Sequence, residues 1–298
     1  MCIKYCASMF DHSNPNCRVI RIIFQIYLYC MASNLSANTE IIYPRPESTA
    51  DARTNYPLQL LELALKKSGT DYALNPSKFQ MQQGRALRQL EKRQGVDVVW
   101  SMTSLEREKA LLPIRIPIYR GLIGWRLLLI NKKDAIKFQQ IHTVEQLKQL
   151  RAGQGHDWPD TAILRENGFE VHDSSTYEGL FKMLQNDRFE YFPRSIVEIW
   201  AEAENHKAEN IIVEPTIVIR YPTAFYFFVN KQNLSLAKDL EKGLKQTIED
   251  GSFDKLFYEH HDDLLEKADL KNRKFFELKN PILPPETPLN QKELWFQN

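Results

Sequence analysis

From Ile41 to Val229 the chain alternates short β-branched or aromatic runs with segments of helical period. That alternation is the pattern of a mainly parallel sheet covered by helices, and it restricts the fold class to α/β. Ile41-Ile42-Tyr43 reads as a first strand. Asn55 is placed to cap a helix whose Leu58, Leu61 and Leu65 share one face and whose stop is Gly69. Residues 82–93 form a second helix with Leu87 and Leu90 inward and Gly95 as its stop, before the buried run Val96-Asp97-Val98-Val99-Trp100.

Three pairs in the middle of the chain, Thr143 with Gln146, Ser175 with Glu178 and Ser195 with Glu198, have the spacing of a capping box. In that motif a hydroxyl and a carboxylate or amide satisfy each other's free backbone donors at a helix start. Between these helices Phe169-Glu170-Val171 and Phe189-Glu190-Tyr191-Phe192 are strand candidates, followed by Ile211-Ile212-Val213, Ile217-Val218-Ile219 and Phe225 to Val229. Leu236, Leu240, Leu244 and Ile248 mark a long amphipathic helix that ends at Gly251. Pro281, Pro284, Pro285 and Pro288 make the tail an irregular segment wrapped on the surface.

Charge and cysteine usage narrow the function classes. A formal net charge of +1 provides no bulk field for nucleic acid. All four cysteines, Cys2, Cys6, Cys17 and Cys30, precede residue 31, so the main body has no disulfide framework, thiolate metal site or cysteine nucleophile. Arg18 and Arg21 precede the apolar stretch Ile22 to Ala32, and small polar residues follow through Ala37. This is the order of a secretory signal, and it predicts cleavage near Ala37 and a periplasmic body; a buried strand or helix is the alternative reading. The stretch is shorter than the roughly 20 apolar residues of a membrane span.

Two apolar stretches, Pro117 to Ile130 and Pro215 to Val229, lack helical period and carry Pro and Gly at their edges. Placed about a hundred residues apart, they suit a chain that leaves one lobe, builds another and returns, with the interlobe cleft as the ligand site. Gly-x-Ser-x-Gly, His-Glu-x-x-His, the P-loop and the dinucleotide fingerprint are all missing, so the expectation is a non-enzyme without a cofactor. His260-His261-Asp262-Asp263 looks metal-like, but consecutive helical residues point apart, and it reads as a solvated end.

At this point the order of elements from Ile41 to Tyr258 resembles the type II periplasmic solute-binding proteins of family 3, the receptors of polar amino-acid ABC transporters. The passage Val96 to Glu108, with Thr103 and Arg107, followed by Pro117-Ile118-Tyr119, is similar to that family's "strand, small polar residues, Thr-x-x-Arg, then Pro-Tyr" segment. Thr143 to Lys148 resembles its opening of lobe two, Tyr177 to Ser195 its helix and following strand, and Asp250-Gly251-Ser252-Phe253 its late Asp-Gly turn. The resemblance implies an α/β, two-lobed, periplasmic-binding-protein-like type II (Venus-flytrap) fold with hinge strands. It also implies lobe 1 over residues 38–122 and 222–298 and lobe 2 over residues 123–221, after a signal over residues 1–37.

In such proteins the arginine of the first passage holds the ligand's α-carboxylate, a role that falls here on Arg107, with Thr103 beside it. A guanidinium offers a rigid two-pronged donor matched to a carboxylate. The bland reading pairs Arg107 with Glu106 or Glu108 on a helix face. Where the family places an aspartate for the ligand's ammonium group, Phe192-Pro193-Arg194-Ser195 stands, and a second cation suits an anionic ligand such as a dicarboxylate or phosphorylated compound. Arg194 otherwise points to solvent or pairs with Glu198. Gly153-Gln154-Gly155-His156-Asp157-Trp158 replaces the family's Gly-Thr-Thr loop, and Gly155 and His156 remain candidates for an anion cradle before a helix, with Trp158 packing that helix. Tyr43, Trp100 and Tyr119 are the candidate aromatic walls, ahead of Trp125. The expected function is reversible capture of a small carboxylate-bearing or amino-acid-like ligand for a membrane permease. A sensor protein is the alternative partner and a periplasmic lyase the minor alternative.

Overall fold

The computed structural model describes residues 39–46 and 52–297, and the expected signal over residues 1–37 lies outside them. β1 (Thr39–Arg45) leads to α1 (Asn55–Ser68), closed by Gly69 in the left-handed region at φ 84°, and then to β2 (Tyr72–Gln80), which pairs with β1. α2 (Gln83–Glu91), β3 (Val98–Met102), α3 (Leu105–Ala110) and β4 (Leu112–Ile114) follow. β5 (Trp125–Asn131) opens a second region that continues through α4 (Ala135–Gln139), α5 (Val144–Lys148), β6 (Ala152–Gly155), α6 (Pro159–Glu166) and β7 (Val171–Ser174). Then come α7 (Tyr177–Gln185), β8 (Tyr191–Ser195), α8 (Ile199–Asn205), β9 (Ile211–Val213) and β10 (Ile217–Arg220). β11 (Phe225–Val229), α9 (Leu234–Glu249), α10 (Ser252–Ala268) and β12 (Lys274–Glu277) complete the order.

Two principal sheets result. β3, β11 and β4 form a three-stranded antiparallel sheet in which Phe227 lies opposite Trp100 and Ile114. The larger, seven-stranded sheet runs β12-β10-β5-β8-β6-β7, with β9 also on β5; β6 pairs parallel with β7 and β8, whereas β5 is antiparallel to β8, β9 and β10. Residues 222–298 divide between the sheets, because β11 belongs to the smaller and β12 pairs with β10 in the larger. Behind the smaller sheet α1 and α9 pack so closely that a Cβ on Gly243 would lie 1.8 Å from the Ala64 carbonyl oxygen.

The chain crosses between the sheets after β4 and again after β10, and a later passage from α10 to β12 returns it to the larger sheet. The crossings touch at Gly124, whose carbonyl accepts from the Tyr221 N–H at 3.2 Å and where an added Cβ would meet the Tyr221 carbonyl at 2.2 Å. The irregular tail lies over them: Leu278 N donates to Arg220 O at 2.8 Å, and Phe296 N donates to Arg120 O at 2.8 Å. Trp295 covers Gly121, a turn residue at φ 81°. Leu105 N donates to Ile282 O at 3.0 Å, so the tail also holds α3.

Only one of the three expected capping boxes forms as such, at Thr143 and Gln146. At the second, Thr176 takes the capping position in place of Ser175 and accepts from Gly179 N. At the third, Ser195 ends β8 and its hydroxyl is taken by the Leu122 carbonyl at 3.0 Å, which leaves only the Glu198 half of the box on the Ser195 N–H. The solvated end expected at His260-His261-Asp262-Asp263 is corrected at His261. α10 continues to Ala268, and His261, one turn after Phe257, is buried among Tyr56, Tyr119 and Phe257. Burial lowers its pKa to about 4.

Replacement of Gly243 by alanine is expected to force α1 from α9 and to cost about 1–3 kcal/mol, the usual range for overpacking. A urea midpoint equal to wild type would show that the two helices do not meet at this residue.

Candidate functional site

β5 is an apolar run except for Arg126 and the terminal Asn131, and all seven of its residues are buried. On the neighbouring β8, Arg194 lies opposite Leu127 and Ser195 opposite Arg126, so the two guanidinium-bearing residues stand one position out of step on adjacent strands, and both reach Glu198. Each is 2% exposed. Isolated charges cannot remain buried at this depth, because the loss of hydration costs several kcal/mol per ion unless partners replace the water.

The partners are present as a chain of alternating charge. Tyr221 donates to Asp160, which also pairs with Arg126 Nη2 at 2.6 Å. Arg126 Nη1 lies 3.6 Å from Glu198, and Glu198 lies 3.1 Å from Arg194 Nη2. Arg194 closes a two-pronged contact on Glu202 through Nε at 2.8 Å and Nη2 at 2.7 Å, and Glu202 accepts from the Tyr177 hydroxyl at 2.8 Å. Burial alone would lower both arginine pKa values, but their carboxylates outweigh it and raise both, that of Arg194 well above the ordinary value. Burial would raise Glu202, and Arg194 outweighs it to hold the carboxyl below its usual 4.5.

Arg126, Arg194, Asp160 and Glu198 wall a cavity of about 110 Å³. Trp100 and Met102 of β3 and Phe225 of β11 face it from the smaller sheet, and Tyr119 and Ile123 from the first crossing, so both sheets contribute. Trp158 completes the wall with its ring 4.8 Å from the Arg194 guanidinium and stacked with Phe192 at 6.2 Å. Four arginines, Arg45, Arg53, Arg126 and Arg194, line this chamber against the two carboxylates of Asp160 and Glu198. Arg194 Nη1 donates to no protein atom among the described residues.

Of the residues expected at the site, Trp100, Tyr119 and Arg194 line this chamber. Arg107 stands behind Gln83 and Met102 with its terminal nitrogens engaged. Nη1 donates to Ser101 Oγ at 2.5 Å and Met102 O at 2.9 Å, and Nη2 donates to Gln83 Oε1 at 2.9 Å and Asp157 O at 3.0 Å. Burial lowers its pKa to about 10. Neither Glu106 nor Glu108 takes it up: Glu108 accepts from Thr103 Oγ1 at 2.6 Å and pairs with Arg115. Thr103 is thereby buried behind the chamber.

Tyr43 stacks toward Trp100 at 6.0 Å and lines neither this chamber nor the one beside it. His156 is half-exposed and lies 3.9 Å from Asp157. The loop around Gly155 is closed on itself: His156 N donates to Ser174 O, Trp158 N to Gly155 O and Thr161 Oγ1 to Gly155 O. Pro159 supplies no N–H to the α6 start. Gly155 therefore serves close packing, since a Cβ there would meet the Trp158 ring at 2.5 Å. Sequence reasoning passed over Arg126 and Asp160; the signal for the first was a lone charge inside an otherwise apolar strand.

No protein-family model matches the chain, and no curated protein does. Solved structures do. An ancestral arginine-binding protein bound to arginine superposes with a TM-score of 0.56 at 16% identity, covering 75% of this chain and 98% of that one. A Salmonella typhimurium periplasmic binding protein of high arginine specificity gives 0.54 at 16%, over 75% and 99%. A histidine kinase sensor domain with similarity to periplasmic binding proteins gives 0.56 at 12%, over 76% and 96%. At these identities the likeness establishes the fold, a two-lobed α/β body of the type II periplasmic-binding-protein-like class.

Removing one side of the buried ion pair, as in Arg194→Met, is expected to cost about 3–5 kcal/mol, because Glu202 is stranded. Addition of Glu202→Leu should recover most of that loss, and equal instability of the single and double variants would contradict the pairing. Glu202 has a depressed folded pKa, so its contribution is complete above 4.5 and is lost as pH falls through the lowered value. Urea titrations across that range should show a shallower acid loss for Glu202→Gln than for wild type.

Proposed function

We propose that the chain is a periplasmic solute-binding protein that closes its two lobes on a small molecule bearing an anionic group. The fold supports capture between lobes. The observation that carries the anionic reading is the pair Arg126 and Arg194, buried in the chamber wall with Arg194 Nη1 open to an acceptor. A ligand oxyanion there would gain charge-assisted hydrogen bonds in a water-poor setting, where they are worth about twice a neutral bond. Asp160, Glu198 and Glu202 hold the two guanidinium groups in place and keep them charged.

The lobe division proposed runs at the two crossings, with residues 123–221 as the lobe built on the larger sheet and β12 joining that sheet from the C-terminal segment. Closure requires that the ligand favour the closed state, so it must contact both lobes. Trp100, Met102 and Tyr119 supply the contacts from the other side of the chamber. Arg107 contributes at the same seam, since it bonds Ser101 on the smaller sheet and the Asp157 carbonyl beyond β6. Its Nη2 acceptors are both neutral, so a ligand carboxylate reaching it would displace weaker partners. Delivery is to a membrane permease; the likeness to a kinase sensor domain supports a signalling partner as the second reading.

Thermal-shift measurements with glutarate, inorganic phosphate and a panel of amino acids test this reading. At about 100 times its Kd a ligand contributes about 2.7 kcal/mol, which corresponds to a rise of roughly 5–10 °C for a chain of this size. Glutarate or phosphate should give such a rise, and Arg194→Lys and Arg126→Lys, which keep the charge and lose the fork, should abolish it while the circular dichroism spectrum is retained. Shifts from neutral or cationic compounds alone, or full shifts in both lysine variants, would refute the anionic assignment.

A further inference from the structure

Asp157, in the loop between β6 and α6, meets the other side of the proposed lobe boundary twice. Its backbone carbonyl accepts from Arg107 Nη2 at 3.0 Å, and the same nitrogen donates to Gln83 Oε1 at 2.9 Å, at the first residue of α2. Arg107 Nη1 is held by Ser101 and Met102 in the smaller sheet, so the guanidinium ties the loop to that sheet. The Asp157 side chain leans on the start of α2: a Cβ on Gly84 would lie 2.1 Å from Asp157 Oδ2, and Arg88 Nη1 lies 3.4 Å from the same point.

The chemistry on the two sides is complementary. The first turn of α2 has no acidic residue, and Gln82 makes no side-chain capping bond there. A helix start carries partial positive charge on its free N–H groups and favours a carboxylate, which here comes from across the boundary. The missing side chain at Gly84 leaves the room for it. The loop itself is pinned in the larger-sheet lobe, since His156 N donates to Ser174 O and Trp158 N to Gly155 O, both at 3.1 Å. What space remains at the seam, among Gln82, Gln83, Asp157 and Trp158, is about 20 Å³, room for little more than one water. A second contact spans the boundary where Arg53, ahead of α1, sits over the Tyr177 ring of α7 at 4.2 Å.

We propose that Asp157 and the Gly84 turn of α2 form a latch, secured by Arg107 on the Asp157 carbonyl, that draws the two lobes shut through the protein's own contacts and so favours the shut form ahead of ligand binding. The latch rests on the lobe division proposed above and is independent of what the inner chamber binds.

Small-angle X-ray scattering of the full chain, with no ligand added, tests it. A carboxylate at a helix start is worth about two- to five-fold in an equilibrium, so Asp157→Ala should move the shut-to-open ratio by that factor and raise the radius of gyration. Gly84→Val, which drives a side chain into the space of the carboxylate, should raise it further. With Asp157→Ala already present, Gly84→Val should add less than it does alone, because the carboxylate it displaces is gone. Asp173→Ala, which removes a carboxylate paired with Arg165 inside one lobe, should leave the radius at the wild-type value. A wild-type radius as large as that of Gly84→Val overturns the latch, and so do variants that lose thermal stability with the radius unchanged. Equal radii throughout, together with an intact thermal shift from glutarate or phosphate, would refute the latch and leave anion capture standing.

Discussion

Two guanidinium groups buried on adjacent strands around a shared carboxylate repel each other and lose their hydration, so the larger sheet is viable only because carboxylates arrive from three other segments. Asp160 comes from the start of α6, Glu198 from the turn before α8, and Glu202 from α8 itself. That requirement fixes how α6 and α8 sit on the sheet, and it fixes Trp158 and Tyr177 as well, because their rings cover the Arg194 group. Replacing such a network with apolar side chains often leaves a protein as stable or more so. Its retention next to a cavity accordingly favours a role in recognition over one in stability.

The cleft inherits its character from this arrangement. The sheet supplies rigid backbone under both arginines, and α6 and α8 supply their counter-charges, so the anion proposed as ligand would meet groups that need little reorganisation. The opposite wall is mostly aromatic or apolar, from Trp100, Met102 and Phe225, and excludes water without competing for the charged groups.

Much of the fold was legible in the sequence because its signals are local. Gly69 and Gly251 stop their helices at positive φ, and the runs at 211–213 and 225–229 are strands over those same residues. The capping pairs were legible only where no distant group competed. Thr143 kept its partner, while the Ser195 hydroxyl was drawn to the Leu122 carbonyl across the crossing, a contact 73 residues away that no spacing rule contains. The site was less legible for the same reason. Arg194 could be named from its place after a strand, but Arg126 and Asp160 acquire meaning only once β5, β8 and α6 converge. His261 looked like part of a polar end because its neighbours in sequence are charged, whereas its neighbours in space are rings.

The tail over the two crossings carries a mechanical consequence. Hinge strands normally bend at low cost because they are thinly covered, but here Leu278 and Phe296 bond the crossings and Trp295 fills the space above Gly121. Any swing that parts the lobes must shear or peel this last stretch, so the C-terminal residues act as a splint. The stiffness of the joint is thereby written into the stretch from Leu278 to Phe296, and trimming it would alter how readily the lobes part.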